Sequence, residues 1–322
     1  MKLSLLFLVV LVSPLACGNP SAPGEENPNL HGSEATIIGD LRQVADEAQP
    51  EPAPRIRHVI ILSIDGLRPQ DMLRAQAPNL HRLAAEGAST MTAATILPSV
   101  TLPAHASMLT GVSPSRHRVL WNEWDAERGL LSIPTIFTVA RERGLPTAMV
   151  VNKFKLRHLS TAVDVFSHAG FTAATAVEAA TPLLRQDPPA ILFLHFADPD
   201  SAGHEHGWGS HRYVAAIERC DVALGALLTV VEEAGFANET LWLVTADHGG
   251  LDRTHGSNHP DDVTIPWITY GPGIKAGRVI DQAVSIMDTA ATALAALRLQ
   301  VPEGWEGQPV LETLPEAVFV TR

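Results

Sequence analysis

TLWLVTADHGG, residues 240–250, joins an apolar run to a carboxylate, an imidazole and two glycines. A short apolar run bounded by polar residues is typical of a strand buried on both faces of a parallel sheet. Groups directly after such a strand lie at the edge of the sheet where open α/β folds bind their ligands. Asp247 and His248 offer oxygen and nitrogen donors that suit a divalent transition metal. The stretch therefore predicts a metal-binding edge on a parallel sheet.

The rest of the chain repeats this alternation of apolar runs and helical stretches from residue 58 onward. Proline begins three of the predicted helices and glycine follows all four, as helix caps favour. The pattern predicts an α/β fold, with a mostly parallel central sheet and helices on both faces. The predicted strands are residues 59–64, 147–151, 190–196, 240–245 and 265–270. The predicted helices are residues 78–86, 103–110, 134–143 and 210–234.

Composition fits a globular enzyme with a substantial core. The chain has 322 residues, of which 46% are hydrophobic and 18% charged, with a formal net charge of −12. An acidic protein of this kind is not expected to bind a nucleic-acid backbone. An anionic substrate would have to be attracted by local charge or by metal ions.

The first 17 residues, MKLSLLFLVVLVSPLAC, have the charge, apolar run and small residue of an export signal. The apolar run is too short for a membrane-spanning helix. Cys17 follows Leu15 and Ala16 as in a bacterial lipoprotein cleavage box, although Pro14 departs from that pattern. We expect export to the bacterial envelope with a lipid tether at Cys17, with a periplasmic or secreted protein as the alternative.

Residues 18–55 are rich in Pro and Glu and predict a linker, which leaves residues 56–322 as the catalytic domain. Cys220 is the only other cysteine, so there is no disulfide framework. It lies in an apolar helical pattern, which predicts a buried thiol.

Other polar residues also follow predicted strands. Asp65 follows HVIILSI, Lys153 follows residues 147–151, and residues 198–200 follow the strand at 190–196. Because the carboxyl ends of parallel strands share one edge of a sheet, we expect these groups to lie close together.

Five segments of the chain carry most of these polar residues: SIDGLRP (63–69), PSVTLPAHASMLTG (98–111), PDSAGHEHG (199–207), TADHGG (245–250) and HGSNHPDDVTIPWITYGPG (255–273). Their order and spacing resemble those of the alkaline phosphatase superfamily, and the chain most resembles its nucleotide pyrophosphatase/phosphodiesterase branch.

The resemblance implies two zinc ions, although the donor set without cysteine also suits Mn or Fe. It implies a first site formed by Asp65, Thr101, Asp247 and His248. It implies a second site formed by Asp200, His204 and His255, for which His206 and His259 are alternative ligands.

Thr101 is the implied nucleophile, and its covalent product is a phosphothreonine. A metal-activated hydroxyl explains how a threonine attacks at neutral pH. A helix starting at Pro103 would add backbone N–H groups for an anion at this point. The alternative reading of Thr101 is a simple helix N-cap.

Asn122, in VLWNEW, matches an asparagine of this branch that donates to a phosphate oxygen. Its alternative reading is a turn-forming residue. Lys153 and Lys155, in VVNKFKLRH, resemble a Lys-x-Lys pair of phosphonoacetate hydrolases and monoesterase members. An added ammonium suits a monoester dianion better than a diester, so we assign both lysines a substrate role. Solvent-exposed surface lysines are the alternative.

Two segments, residues 119–131 and 157–188, are the only candidates for caps over the site, which predicts an open pocket. Trp121, Trp124 and Trp208 either stack on a substrate at its rim or pack in the fold.

Three further histidines are assigned supporting or surface positions. We expect His195 to be a core group or a partner of a metal ligand. We expect His105 to support helix packing or to orient Asp65, and we place His117 at the surface.

The sequence thus predicts a di-zinc hydrolase of small phosphorylated substrates, leaning to phosphomonoesters or phosphonates. Phosphodiesterase or nucleotide pyrophosphatase activity is the alternative. A sulfatase is less consistent, because Thr101 lacks the Cys- or Ser-x-Pro-x-Arg context of a formylglycine site. A metal-binding surface lipoprotein without turnover is the remaining alternative.

Overall fold

The computed structural model describes residues 55–315, which contain a single eight-stranded sheet. The order of its strands is β4-β3-β5-β1-β6-β7-β2-β8. Every strand runs in the same direction except β7, which is antiparallel to both of its neighbours. The strands are β1 (His58–Ile64), β2 (Ala88–Ala94), β3 (Thr147–Val151), β4 (Val165–His168), β5 (Ile191–Phe196), β6 (Thr240–Thr245), β7 (Thr264–Tyr270) and β8 (Arg278–Val279).

Helices form two layers over the sheet. The long helix α8 packs against α2, α6 and α7 in one layer, and α10 packs against α3 and α5 in the other. The helices are α1 (Pro69–Arg74), α2 (Pro78–Glu86), α3 (Thr101–Thr110), α4 (Pro114–His117), α5 (Ile136–Glu142), α6 (Ala173–Gln186), α7 (Asp198–His206), α8 (His211–Glu233), α9 (Pro260–Val263) and α10 (Asp288–Ala296).

The central strands are continuous apolar runs because both of their faces are covered. All residues of β5 and β6, and all but the first of β1, are buried. Burying such side chains from water is the main favourable term in folding. The five strands predicted from the sequence are all present, and the predicted α/β class with a mostly parallel sheet is confirmed.

The predicted strand at 265–270 exists as β7 but runs against the others. The chain leaves β6 at the carboxyl edge, and residues 246–263 stay at that edge before β7 begins. Because the segment starts and ends on the same side of the sheet, the next strand must return in the opposite direction. The loop 246–263 therefore keeps His248 and His255 at the edge that holds Asp247.

Several elements were not predicted from the sequence. Strands β2, β4 and β8 and helices α6, α7 and α10 are absent from the predicted set. The segment 157–188, one of the two candidates for a cap, instead forms the edge strand β4 and helix α6. Helix α6 packs against β3, β5 and α8 as part of the main layers.

Helix boundaries differ from prediction where capping residues decide them. Thr135 caps α5 by accepting N–H groups of Phe137 and Thr138, and Ser210 caps α8 by accepting that of Tyr213. Helix α3 begins at Thr101, two residues before the predicted start at Pro103. Cys220 is fully buried on α8, as predicted.

Within residues 55–315, no helix combines the length and apolar character needed to span a lipid bilayer. The predicted export signal and all of the predicted linker but its last residue lie outside the described residues.

Candidate metal centre and nucleophile

Polar residues from four neighbouring strands meet at one edge of the sheet. Strands β3, β5, β1 and β6 are adjacent and parallel, and each ends immediately before polar residues. Lys153, Asp200, Asp65 and Asp247 come from these four ends in that order. The prediction that parallel strands bring these residues together is confirmed.

One cluster consists of Asp65, Asp247 and His248, all fully buried. His248 Nε2 lies 3.5 Å from Asp65 Oδ1 and 3.3 Å from Asp247 Oδ2. The three potential ligand atoms lie within 4.8 Å of one another, as atoms around one ion do.

The second cluster consists of Asp200, His204 and His255. Asp200 and His204 are four residues apart on α7, which places them on one face of the helix. Asp200 Oδ1 lies 3.4 Å from His204 Nε2 and 3.5 Å from His255 Nε2. The alternative ligands are not part of either cluster: His206 pairs with Glu205, and His259 caps α9.

The three histidines of these clusters are held in the same way. Their Nδ1 atoms bond backbone carbonyls: His204 to Arg253, His248 to Gly249 and His255 to Ser99. A carbonyl only accepts, so Nδ1 carries the proton and the Nε2 lone pair faces the cluster. Metal-binding histidines are oriented by the same kind of contact.

Buried polar atoms without partners also indicate a cation. Asp65 Oδ1, Asp200 Oδ1, Asp247 Oδ2 and His248 Nε2 make no hydrogen bond within the described residues. Buried polar atoms are almost always satisfied. Of the six such unpartnered atoms in residues 55–315, these four lie in the two clusters, and the other two are Trp121 Nε1 and Asp262 Oδ1. Oxygen and neutral imidazole donors in groups of three fit divalent ions such as Zn²⁺.

The pKa shifts of the buried carboxyl groups also indicate a cation site. Burial favours neutral acids, but Lys153 and His195 hold the pKa of Asp65 well below its ordinary value. Burial and the neighbouring Asp65 raise the pKa of Asp247 well above its ordinary value. With Asp200, three carboxylates share one ammonium, so the site lacks positive charge that metal ions would supply.

Two buried histidines, His195 and His105, contact the carboxyl groups of the first cluster. His195 Nε2 donates to Asp65 Oδ2 at 2.8 Å, so His195 is a buried residue that partners the predicted metal ligand Asp65. His105 bonds Ser63 Oγ and the carbonyl of Thr101, both at 2.8 Å. Its Nδ1 lies 3.5 Å from Asp247, not next to Asp65 as expected. Burial lowers the pKa of both histidines, so they are neutral hydrogen-bonding groups.

Thr101 is the first residue of α3, and its side chain is almost fully buried beside the clusters. The N-cap of this helix is Val100, which excludes the N-cap reading of Thr101. Its hydroxyl lies 3.3 Å from Lys153 Nζ. Asn122 accepts the Leu102 N–H, Val100 accepts the Ala104 N–H, and Pro103 has no N–H. The Thr101 N–H and the helix dipole are therefore the features of the first turn that favour an anion at this position.

Asn122 and Lys155 lie beside the nucleophile. Asn122 Oδ1 accepts the N–H of Leu102 at 2.9 Å and a donation from Lys155 Nζ at 3.1 Å. These two contacts assign the amide orientation and leave the Nδ2 donor for another group. Burial and the nearby charge of Lys153 lower the pKa of Lys155.

The glycines of TADHGG are required by close approaches. A Cβ at position 249 would lie 2.0 Å from the carbonyl oxygen of Asp261, and one at 250 would lie 2.3 Å from the ring of Trp208. Trp208 is buried and donates to the carbonyl of Gly66, so it packs in the fold and does not line a rim.

Arg68 was missed by the sequence analysis. Its guanidinium is almost buried and contacts Asp71, the carbonyl of Gly250 and Asp261. Arg68 therefore links the loop after β1 to the loop 246–263, which carries His248 and His255. The buried Asp71, three residues further along α1, is the only local sign of such a partner.

His117, placed at the surface by the sequence analysis, is buried between α3 and the Asn122 loop. Its Nε2 bonds Ser107 Oγ and its Nδ1 accepts the N–H of Val119, both at 3.0 Å. Burial outweighs the attraction of Glu306 and lowers its pKa to about 4.

The predicted cap at 119–131 is a loop with a short 3₁₀ turn at Ala126–Arg128. Trp121 and Trp124 in this loop contact the ring of His158, and Trp124 also contacts Phe154. Both tryptophans are partly exposed, and they pack against protein rings.

The family model for type I phosphodiesterase/nucleotide pyrophosphatase matches residues 59–131 and 138–264, more than half of the chain. The chain belongs to this family. The matched range contains every residue of the two clusters, Thr101, Asn122 and both lysines. The resemblance to the nucleotide pyrophosphatase/phosphodiesterase branch of the alkaline phosphatase superfamily is thereby confirmed.

Relatives and structural neighbours of the chain carry different activities in their names. A phosphopentomutase of Clostridium botulinum is 28% identical over 178 residues, 52% of this chain and 42% of the relative. A 2-O glycosaminoglycan sulfatase structure has a TM-score of 0.70 at 15% identity, covering 82% of this chain and 74% of the sulfatase.

Murine ectonucleotide pyrophosphatase/phosphodiesterase 5, solved as an inactive threonine-to-alanine form with AMP, has a TM-score of 0.65 at 14% identity. The match covers 76% of this chain and 96% of the murine one. These structural likenesses establish the fold. The chain spans less than half the length of the curated relatives that it matches.

Proposed function

We propose that this protein is a di-zinc phosphoric-ester hydrolase that uses Thr101 as its nucleophile. The observation that carries the proposal is the position of the Thr101 hydroxyl, buried at a helix start beside two carboxylate–imidazole clusters. The inactive threonine-to-alanine form of the murine phosphodiesterase supports a nucleophilic threonine in a neighbouring fold.

Asp65, Asp247, His248 and Thr101 would hold one ion, and Asp200, His204 and His255 the other. Bound divalent ions supply the positive charge that lowers the pKa of a hydroxyl and neutralises a phosphoryl group. The unpartnered oxygens and the oriented Nε2 atoms of these residues support such ligation.

The reaction takes place in two displacements. The Thr101 oxygen, having lost its proton, bonds to phosphorus as the bond from phosphorus to the leaving group breaks. The leaving atom, oxygen in an ester and carbon in phosphonoacetate, takes up a proton. A water molecule then attacks phosphorus, the bond to Thr101 breaks, and the threonine hydroxyl and free phosphate are restored.

The protein contributes fixed donors to this reaction. Asn122 Nδ2 and the backbone N–H of Thr101 donate to the phosphoryl oxygens, where negative charge is concentrated. A lysine ammonium beside the nucleophile favours a dianionic phosphoryl group, which supports phosphomonoesters or phosphonates over diesters. A phosphodiesterase remains the second candidate, favoured by the family to which the chain belongs.

A sulfatase is not favoured, although a sulfatase is among the structural neighbours. The residue at the start of α3 is a threonine, which has no route to the formylglycine that sulfatases require. A binding protein without turnover is opposed by the joint presence of Thr101, Asn122 and both clusters.

Purified zinc-loaded protein should be assayed on p-nitrophenyl phosphate, bis-p-nitrophenyl phosphate and phosphonoacetate. We expect turnover with two zinc ions per chain, and we expect Thr101→Ala to abolish turnover while it keeps most of the bound zinc. Zinc binding without hydrolysis of any of the three substrates would contradict the proposal.

We also propose that the chain is exported and tethered through Cys17. Metabolic labelling with a fatty-acid analogue tests this: wild type should take up label and Cys17→Ser should not.

A further inference from the structure

The ammonium group of Lys153 lies between the two metal-binding clusters. Its Nζ is 2.7 Å from Asp65 Oδ2, 2.6 Å from Asp200 Oδ2 and 3.3 Å from the Thr101 hydroxyl. A lysine ammonium has three N–H donors, and three protein acceptors surround this one. Its hydrogen-bonding capacity is therefore matched by the protein itself.

Each bridged carboxylate divides its two oxygens between different partners. Asp65 Oδ2 and Asp200 Oδ2 pair with Lys153, whereas the two Oδ1 atoms face the imidazoles and have no partner among the described residues. Lys153 and a metal ion would thus use different oxygens of the same carboxylate. The ammonium is compatible with occupied metal sites and ties one ligand of each site to the nucleophile.

Lys155 is placed differently. Among the described residues its one hydrogen bond is to Asn122 Oδ1 at 3.1 Å, and it forms no ion pair. Two of its N–H donors are therefore not used by the protein. The Asn122 amide that accepts this bond also carries the Nδ2 donor described above.

We propose that Lys153 bridges and positions the two metal sites and Thr101, and that Lys155 is the residue that distinguishes a phosphomonoester from a diester. This inference rests on the proposed phosphoric-ester hydrolase function. It separates two lysines that the sequence pattern treats as one substrate-binding pair.

Stability and zinc binding test the bridging role without an activity assay. In chelator-treated protein, Lys153→Met should lower Tm by about 5 °C or more, because two buried carboxylates lose their counter-ion. Zinc should then raise Tm more in this variant than in wild type, because zinc alone neutralises those carboxylates. The matched Lys155→Met variant should leave both values close to wild type.

If chelator-treated Lys153→Met does not fold, Lys153→Gln provides the same comparison, because the amide is uncharged but still donates to one carboxylate. Wild-type Tm and an unchanged zinc response in the Lys153 variants would overturn the bridging role.

Substrate charge tests the division between the two lysines. Lys155→Met should lower the ratio of kcat/KM for p-nitrophenyl phosphate over bis-p-nitrophenyl phosphate by about 10-fold or more, the effect of one charged hydrogen bond. Lys153→Met should lower both kcat/KM values by similar factors and leave the ratio near wild type. A ratio that changes with Lys153, or does not change with Lys155, would overturn the proposal.

Failure of the proposed hydrolase function would give a different result from failure of the lysine assignment. If wild type hydrolyses none of the three substrates, the hydrolase function fails, while the Tm and zinc measurements still decide whether Lys153 bridges the sites.

Discussion

The side-chain carbonyl of Asn122 accepts the backbone N–H of Leu102, the residue that follows the nucleophile, at 2.9 Å. This bond joins the loop 119–131, which contains Asn122, to the first turn of α3. Because Oδ1 is used by Leu102 and Lys155, the Nδ2 donor of Asn122 is left for another group.

Replacement of Asn122 by Asp separates the acceptor role of Oδ1 from the donor role of Nδ2. An aspartate keeps an acceptor for Leu102 and Lys155 but replaces the Nδ2 donor with an oxygen. We expect Asn122→Asp to lower kcat/KM by about 100-fold or more with little change in Tm, as when one oxyanion donor is removed. Near-wild-type activity would show that Nδ2 does not contact the phosphoryl group.

His195 orients the first cluster through its 2.8 Å bond to Asp65. His195→Phe removes that bond while it keeps a ring in the buried position. We expect zinc binding to weaken by roughly 10- to 100-fold, the usual effect of losing such an outer partner. Chelator competition measures the affinity, and the exposed His211→Phe is the control that should not change it.

His117 makes stability depend on pH. Its pKa is about 4 in the folded protein and near the ordinary value of 6.5 in the unfolded chain. Between these values the unfolded chain binds a proton that the folded protein does not, so the free energy of unfolding falls as pH drops from 6.5 to 4. Above pH 6.5 the contribution is fully present.

His117→Asn removes the titrating ring and keeps an acceptor for the Val119 N–H. The slope of unfolding free energy against pH in that window should become shallower, by at most one bound proton. Denaturant titrations of chelator-treated protein at several pH values measure it. An identical slope in both proteins would mean that His117 does not titrate in this way.

Gly249 is restricted by the backbone of a neighbouring loop. A Cβ there would lie 2.0 Å from the carbonyl oxygen of Asp261, which cannot move as a flexible side chain would. Gly249→Ala should therefore cost about 3 kcal/mol or more of unfolding free energy, as severe overpacking does.

The control is Gly235→Ala, where a Cβ would meet nothing within 4 Å but φ is +84°. That change should cost only about 1 kcal/mol, the penalty of a left-handed backbone for a non-glycine residue. Equal losses in the two variants, measured by chemical denaturation, would contradict a specific clash at Gly249.

Much of the site could be predicted because the chemistry is local to strand ends. Asp65, Asp247 and His248 directly follow buried strands, and Asp200 and His204 have helical spacing. Parallel strands align their carboxyl ends, so residues far apart in sequence could be grouped without coordinates.

The missed elements lack such local signals. Strand β2 reads ASTMTAA and is only partly apolar, and β8 has two residues. Helix α6 contains Pro182, which usually argues against a helix interior. Packing against the sheet decides these elements, and sequence periodicity alone does not reveal it.

The sequence by itself determined the fold class and grouped the residues of both clusters with Thr101, because strand ends and motif spacing are properties of the chain. Only the tertiary structure decided which oxygen of each carboxylate is left without a hydrogen bond, which histidine contacts which carboxylate, and why Lys153 and Lys155 differ. Those relations depend on distances of a few ångströms between side chains far apart in sequence, such as His195 and Asp65, which are 130 residues apart. They are set by the packing of α3 and the loops over the sheet edge.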